Sequence, residues 1–445
     1  MKAGILRALR RWLRDTGGNV AVMLALALVP LSLAALGAVD VQRVVSTKSE
    51  LQDALDAAAL TAARDSVADP TKLQEFGAAA FAANIRDTRL TIVSGPTFTL
   101  TNERVVVADA SARVGDTILA KFALGSDFTV NAHAEVNSSG ANVEVSMVLD
   151  LTDSMDAAVP GCTSKIACLK TAATNLIDLV VQDNQTPFYS KMAIVPYSYA
   201  VDVDAYASVV RGSPASSFSF TGADNQPKTF HLSDCVTERT GAHAYTDAPV
   251  TTAYVGRHYT VSGTCLNAPV SPLSSDKAAL KARVASFDTA GSTAGQIGLA
   301  WGWYLVSPTF MGGWQNVNSR PAPYGTDKLM KFVVLMTDGM FNTVYCKGVK
   351  AQNSLGGSGG SNEKINCNSE NGLPFDQATS LCNAIKARGI IIYTVLLDVS
   401  DPAAVAFMRS CATDSARVYL PTTGGQLKDA FASIGADITK LRLSR

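Results

Sequence analysis

Three short stretches of this chain carry oxygen ligands at spacings that suit a hard cation. The first is Val143–Asp156, VEVSMVLDLTDSMD, where an apolar run stops at Asp150 and is followed by Thr152 and Ser154. A carboxylate with hydroxyls two and four residues on offers oxygens that converge on one point, which is chemistry for Mg²⁺, Ca²⁺ or Mn²⁺. The second is Lys331–Gly339, KFVVLMTDG, another apolar run closing on Thr337-Asp338. Between them Gly291-Ser-Thr293-Ala-Gly295 forms a hydroxyl-bearing loop before the helical pattern Gln296–Val306. Each stretch alone is ordinary, because Asp and Ser after a strand usually cap the next helix. Together they nominate Asp150, Thr152, Ser154, Thr293 and Asp338 as one metal site. Asp153 and Asp156 read as first-turn acids favoured by a helix dipole rather than as further ligands.

The elements that must position these residues follow an alternating pattern. Both apolar runs read as buried central strands of an α/β sheet, at whose carboxyl ends ligands collect. Lys165–Val181 reads as a helix with Ile166, Leu169, Ala173, Leu176 and Leu179 inward, and Lys191–Pro196 as a strand. A helix over Asp276–Phe287 leads to the Thr293 loop. Phe375–Arg388, Ile390–Leu397, Pro402–Ser410, Arg417–Leu420 and Gln426–Leu441 then continue as helix, strand, helix, strand, helix. The expected fold is a doubly wound α/β domain over 141–445, with helices on both faces. Two insertions interrupt it, 199–275, rich in Ser, Thr and Tyr, and 340–373, with a Gly/Ser-rich loop at Asn353–Asn362.

Other chemistries find little support. Lys+Arg and Asp+Glu balance at 38 each, so charge gives no case for nucleic-acid binding. No P-loop and no HExxH is present, and Gly356-Gly-Ser358-Gly-Gly360 matches GxSxG only inside a flexible composition, without the strand-to-helix turn a nucleophile needs. His231, His243 and His258 read as solvated loop residues, and Trp301, Trp303, Tyr304 and Trp314 as core aromatics. The eight cysteines, Cys162, Cys168, Cys235, Cys265, Cys346, Cys367, Cys382 and Cys411, all follow the apolar N-terminal stretch. With no CxxC, they are expected to form disulfides in an oxidising compartment rather than a zinc site. Neighbour pairing is expected: Cys162–Cys168, Cys235–Cys265, Cys346–Cys367 and Cys382–Cys411. The middle two pairs would staple insertions too poor in apolar residues to build their own cores.

The N-terminus reads as an anchor. Met1–Asp15 is a short basic amphipathic segment, and Asn19–Val39 is apolar and free of charge, long enough to cross ~30 Å of hydrocarbon. Basic residues before the span place residues 1–18 in the cytoplasm. Small residues at the end of the span leave signal-peptide cleavage as an alternative. Against it, Asp40–Arg64 continues the helix, with Val41, Val44, Leu51, Leu55, Ala58 and Ala62 on one face and Gln42, Arg43, Glu50, Asp53 and Asp56 on the other. A second helix, Pro70–Ile85, precedes a β-rich module over Thr88–Asn137, so residues 40–140 form a periplasmic helix-and-strand unit.

The order strand–DxTxS, loop Thr, strand–TDG resembles the von Willebrand factor type A domain and its metal-ion-dependent adhesion site. That family has Ser where this chain has Thr152, and Thr supplies the same hydroxyl oxygen. Gly17-Gly-Asn-Val-Ala21 opening the span, and Ser49–Ala63 after it, resemble the TadE/TadG-like segment of Flp (tight-adherence) pilus assembly proteins. The ending, with Cys382, GIIIYTVLL, Cys411 and the helix of Phe431 and Ile434, is similar to TadG. Type IV pilins carry Glu five residues after their processed Gly; here that position is Met23, so pilin-style processing is not expected.

These resemblances imply a non-enzymatic inner-membrane protein, single-pass through 19–39 with its bulk in the periplasm. It would bind other pilus or tight-adherence proteins through a Mg²⁺, Ca²⁺ or Mn²⁺ ion with coordination positions left open for a partner carboxylate. Two rivals remain. One is a metal-assisted hydrolase using Asp338 or Asp150 as base, although no His or Cys lies next to the motif residues in sequence. The other is a structural envelope protein with a vestigial motif.

Overall fold

The structure, a computed structural model, describes residues 16–65, 70–86, 90–101, 105–115, 117–118, 121, 125, 127–137, 140–186, 188–310 and 316–443. The basic segment Met1–Asp15 and Trp314 lie outside them. The chain divides into two compact units, Met1–Ser139 and Gly140–Arg445.

In the first unit α1 (Thr16–Asp65) runs unbroken through Pro30. Its early apolar side chains, Val22 to Leu33, face outward with no protein to pack on, and the helix is long and apolar enough to cross a membrane. Beyond that stretch it becomes a core helix. Leu51, Leu55, Ala58 and Ala62 are buried, as the periodicity predicts, but Val41 is exposed and Asp40 is buried in its stead. The exchange has a cause: the Asp40 carboxylate accepts the backbone N–H of Ile118 at 2.9 Å. The second helix, α2 (Pro70–Asn84), joins α1 over an antiparallel sheet of β1 (Thr91–Leu100), β2 (Val105–Arg113) and β3 (Thr129–Asn137). Strand β1 carries a register slip on either side of Ser94.

The second unit is built on a six-stranded sheet, order β10-β5-β4-β11-β15-β16. The strands are β4 (Asn142–Asp150), β5 (Ser190–Tyr197), β10 (Ser271–Ser274), β11 (Leu329–Thr337), β15 (Ile391–Leu396) and β16 (Val418–Tyr419). All pair in parallel except β10, which lies antiparallel along β5. The two central strands are buried nearly throughout because helices cover both faces. One face packs α3 (Lys165–Val180), α4 (Lys277–Ala285) and α8 (Gly424–Leu443) through Leu169, Leu176, Leu280 and Phe431 onto Met147, Leu149 and Met336. The opposite face packs α5 (Gly295–Tyr304), α6 (Pro374–Ala387) and α7 (Pro402–Cys411) onto Val148, Val333 and Leu335. Small residues let α5 lie close to the sheet: a Cβ at Gly302 would stand 2.4 Å from Val148, and one at Gly298 2.6 Å from Tyr197. Trp301, Trp303 and Tyr304 are core residues, as expected. Leu179, expected inward, is 48% exposed; Ile177 takes the inward position.

The insertions are more structured than their composition suggests. Strand β10 falls inside the expected 199–275 insertion yet belongs to the main sheet. The rest of that insertion forms a sheet of β6 (Val201–Asp202), β7 (Ser217–Thr221), β8 (Pro227–Thr237) and β9 (Gly256–Thr260). The 340–373 insertion forms β12 (Tyr345–Cys346), β13 (Val349–Ala351) and β14 (Lys364–Ile365). Neither has a core alone, but Phe230 and Tyr259 from the first pack with Val344, Val349 and Ile365 from the second. His258, expected in solvent, is fully buried between Tyr199 and Tyr345, with Nδ1 2.6 Å from Ser233 Oγ.

Candidate metal centre

Strand β4 ends on Asp150, and its parallel neighbour β11 ends on Thr337, with Asp338 next. Because the chain leaves β4 for β5 on one side and β11 lies on the other, the carboxyl ends of this pair open the crevice where doubly wound sheets hold ligands. The Asp150 carboxylate is wholly buried and saturated with donors. Its Oδ1 accepts the backbone N–H of Thr152 at 2.9 Å and the Thr152 hydroxyl at 2.7 Å. Its Oδ2 accepts the Thr337 hydroxyl at 2.6 Å and the Tyr197 phenol at 3.3 Å. The Thr152 and Ser154 hydroxyls are 3.0 Å apart, and Ser154 donates to Asp338 Oδ1 at 2.6 Å. The other Asp338 oxygen accepts from Lys165 Nζ at 3.1 Å.

Asp150, Thr152, Ser154 and Asp338 thus bring their oxygens into one line: Thr152 gives its proton to Asp150 and Ser154 gives its proton to Asp338, and the two hydroxyl oxygens face each other at 3.0 Å. The loop bearing Thr293 is pinned beside it: Asp153 N–H donates to the Gly291 carbonyl at 3.0 Å, and Gly291 N–H to the Asp153 carboxylate at 2.7 Å. Thr293 N–H donates to Asn342 Oδ1 at 2.9 Å, and among the described residues no hydrogen bond joins the Thr293 hydroxyl to the other four. Asp153 is therefore a loop clamp rather than only a first-turn acid. Asp153–Asp156 itself is a 3₁₀ turn, not the opening of an α-helix.

Burial and the nearby Asp338 charge push the Asp150 carboxyl above its ordinary range, against the hydrogen bonds from the Thr337 hydroxyl and from the Thr152 hydroxyl and N–H that lower it. The same surroundings drive the Tyr197 phenol well above its usual value. Two acids facing each other at strand ends are a site that asks for a cation. The donor set fits a hard divalent ion: carboxylates and hydroxyls alone, with each hydroxyl keeping lone pairs free after donating its proton.

Four contributors escape the motif reading: Thr337, Tyr197, Lys165 and Asp398, whose Oδ2 lies 3.7 Å from Lys165 Nζ. Thr337 stands in the TDG stretch itself, one step beyond the Met336–Leu149 pair of the parallel register and so beside Asp150. Lys165 carries a fainter signal. A cation in the first helical turn, after the N-cap Ser164, opposes the helix dipole and needs an acidic partner to hold it there.

A second group, Asp202 with Cys235 and Cys265, has ligand atoms within 4.8 Å of one another. Its sulfurs are joined as a disulfide, so no thiolate is left to ligate. The other pairs are Cys162–Cys168, Cys346–Cys367 and Cys382–Cys411.

Residues 18–65 match the family model described as Flp pilus-assembly TadE/G-like. The N-terminal segment is TadE/G-like. The match covers the apolar span and the helix after it; the candidate metal centre lies elsewhere. No curated protein matches the chain. Among solved structures, the von Willebrand factor domain of the type V pili tip protein Mfa5 from Porphyromonas gingivalis is 13% identical with a TM-score of 0.38. It covers 68% of this chain and 97% of its own. The pilus adhesin SpaC from Lactobacillus rhamnosus GG is 11% identical with a TM-score of 0.37, covering 79% of this chain, which spans 34% of SpaC. Proximal thread matrix protein 1 from the mussel byssus, solved with a zinc-occupied MIDAS motif, is 13% identical with a TM-score of 0.31, covering 68% of this chain and 46% of its own.

Proposed function

We propose that this protein is a non-enzymatic, membrane-anchored component of a Flp-type (tight-adherence) pilus assembly or adhesion system. It is held in the inner membrane by residues 19–39, with the Gly140–Arg445 unit in the periplasm. Its α/β unit binds a protein partner through a divalent cation held by Asp150, Thr152, Ser154, Thr293 and Asp338. When bound, that ion supplies Lewis acidity toward an acidic group of the partner. The protein's own residues do the rest: Thr337 and Tyr197 fix the Asp150 carboxylate, Asp153 clamps the Thr293 loop, and the buried sheet keeps both acids at the crevice. The observation that carries this reading is the convergence of the Asp150, Thr152, Ser154 and Asp338 oxygens at the carboxyl ends of the two central strands. The TadE/G-like segment supports the pilus context.

The decisive experiment compares wild type, a deletion and Asp150→Asn in the source cell, scoring surface attachment and pilus production with protein level held equal. Loss in both mutants is the expected result. Normal attachment in Asp150→Asn would end the cation-dependent reading, and normal attachment in the deletion would end the pilus reading. One observation favours a purely structural role instead: Lys165 already sets a positive charge against Asp338. In that case only the deletion loses attachment.

A further inference from the structure

The Lys165 ammonium sits on Asp338 Oδ2, the oxygen of that carboxylate that Ser154 does not take. Its Nζ is 3.1 Å from Asp338 Oδ2 and 3.7 Å from Asp398 Oδ2, and its side chain is 9% exposed. Asp338 thereby has both oxygens engaged, one by Ser154 and one by Lys165. Among the described residues Asp150 has its oxygens engaged by neutral donors and receives no cation. The local ledger is one fixed positive charge against Asp150, Asp338 and Asp398.

The placement of Lys165 is built into the fold. It lies between Cys162 and Cys168, whose disulfide closes the entry to α3 with Cα atoms 5.9 Å apart. Ser164 caps the same turn by accepting from Ala167 N–H at 3.3 Å, and Lys165 N–H donates to the Ala157 carbonyl at 2.9 Å. The helix dipole opposes a cation at this end, so the carboxylates, not the helix, hold the ammonium inward.

We infer that Lys165 is a tethered cation gating the metal centre: a divalent ion and the Lys165 ammonium compete for Asp338, so ion uptake is an exchange that releases the lysine. An ion reaching Asp338 through Oδ1 would lie across the same carboxylate from the ammonium on Oδ2, so the two positive charges repel, and the long flexible lysine stem lets the ammonium leave toward Asp398 and solvent. Lys165 is here a positioning and selectivity residue, and its role rests on the metal reading above. The consequence is a site tuned to weak, concentration-dependent ion binding. It closes on its own ammonium when divalent ions are scarce.

The test is Mn²⁺ binding to the full chain in detergent, followed by calorimetry and by the Mn²⁺ spin signal, for wild type, Lys165→Met, Lys165→Arg and Asp150→Asn. Lys165→Met keeps the stem and removes the charge, and it is expected to bind Mn²⁺ at least tenfold more tightly than wild type. Lys165→Arg should bind no more tightly than wild type. Equal affinity in wild type and Lys165→Met overturns the gate while leaving the metal site standing. Absence of binding in every form overturns both. Should Lys165→Met fail to fold, reductive methylation of wild type decides the question. Lys165 is expected to resist labelling without Mn²⁺ and to be labelled at saturating Mn²⁺; labelling that ignores Mn²⁺ overturns the gate.

Discussion

Lys331 and Glu144 stand opposite each other on the two central strands and form an ion pair buried inside the sheet that carries the candidate metal centre. The pair is embedded. Glu144 also accepts from the Tyr189 phenol and from Ala322 N–H, both at 2.9 Å, and Lys331 donates to the Val306 carbonyl at 3.0 Å. Removing one partner strands the other without water. Lys331→Met and Glu144→Gln are each expected to cost about 3–5 kcal/mol in urea unfolding. The double mutant should cost less than the sum, because no lone charge remains. Additive losses would mean that the two residues do not act as a pair.

His258 predicts how the protein responds to acid. Burial, with Lys350 and Arg211 nearby, pushes its imidazole down to about 3 from an ordinary 6.5. The folded state therefore holds it neutral, and the unfolded chain binds the proton first. Stability from this residue is full above pH 6.5 and drains away as pH falls toward 3, reaching about 3 kcal/mol of loss near pH 4. His258→Phe keeps the aromatic contact with Tyr199 and Tyr345 and should flatten the acid limb of a pH–melting curve. An unchanged limb would assign acid sensitivity elsewhere.

The shared core of the insertions makes a prediction about the Cys346–Cys367 disulfide, which bridges a sequence separation of 21 residues. Replacing both cysteines by serine should cost about 2–4 kcal/mol. Because Phe230 and Tyr259 pack on residues beside this bridge, hydrogen exchange should rise in β8 and β9 as well as in β12–β14. Exchange confined to 340–373 would show that the insertions open independently. Peptide mapping without reductant should recover the four neighbour pairs; a crossed pair or a free thiol would contradict them.

Topology follows from the charge asymmetry across Asn19–Val39. A reporter active only in the periplasm, fused after Arg445, should be active, and a reporter active only in the cytoplasm should be silent. The reverse pattern would put the metal centre on the wrong side for the role proposed.

The sheet was legible because its central strands are unusually pure: β11 is buried at every residue and β4 at all but its first. Continuous burial needs helices on both faces, and the alternating pattern supplies them. Asp150, Thr152, Ser154 and Asp338 were legible as a group because strand ends and short spacings place them together. The insertions were not, since their apolar residues come in no long run and complete their core across more than 100 residues of chain, as Phe230 meets Val344. His258 was hidden for the same reason. Lys165 was hidden because a helix-start lysine finds its partner, Asp338, only through the tertiary fold.

The last prediction concerns the ion itself. Asp150 and Asp338 repel, and burial raises the Asp150 carboxyl further. A divalent cation bound to the folded form relieves that repulsion and stabilises it by mass action. Millimolar Mg²⁺ should therefore raise the melting temperature of the full chain in detergent. Asp150→Ala should abolish the rise, but it is a harsh variant. It leaves the Thr152 N–H and the Thr337 hydroxyl without their acceptor, at about 1–3 kcal/mol for each buried orphan, while the Tyr197 phenol keeps the Met336 carbonyl at 3.2 Å. That cost outweighs any relief from deleting a repelled charge, so the ion-free form should lose stability. Asp150→Asn keeps one acceptor oxygen and is the cleaner probe: it should fold, melt near wild type without ions, and ignore Mg²⁺. Thr152→Ser preserves the hydroxyl and should respond as wild type does. If wild type and Asp150→Asn melt identically across Mg²⁺, Mn²⁺ and Ca²⁺ titrations, the network at Asp150 is a structural knot of hydrogen bonds and the adhesion mechanism proposed here is wrong.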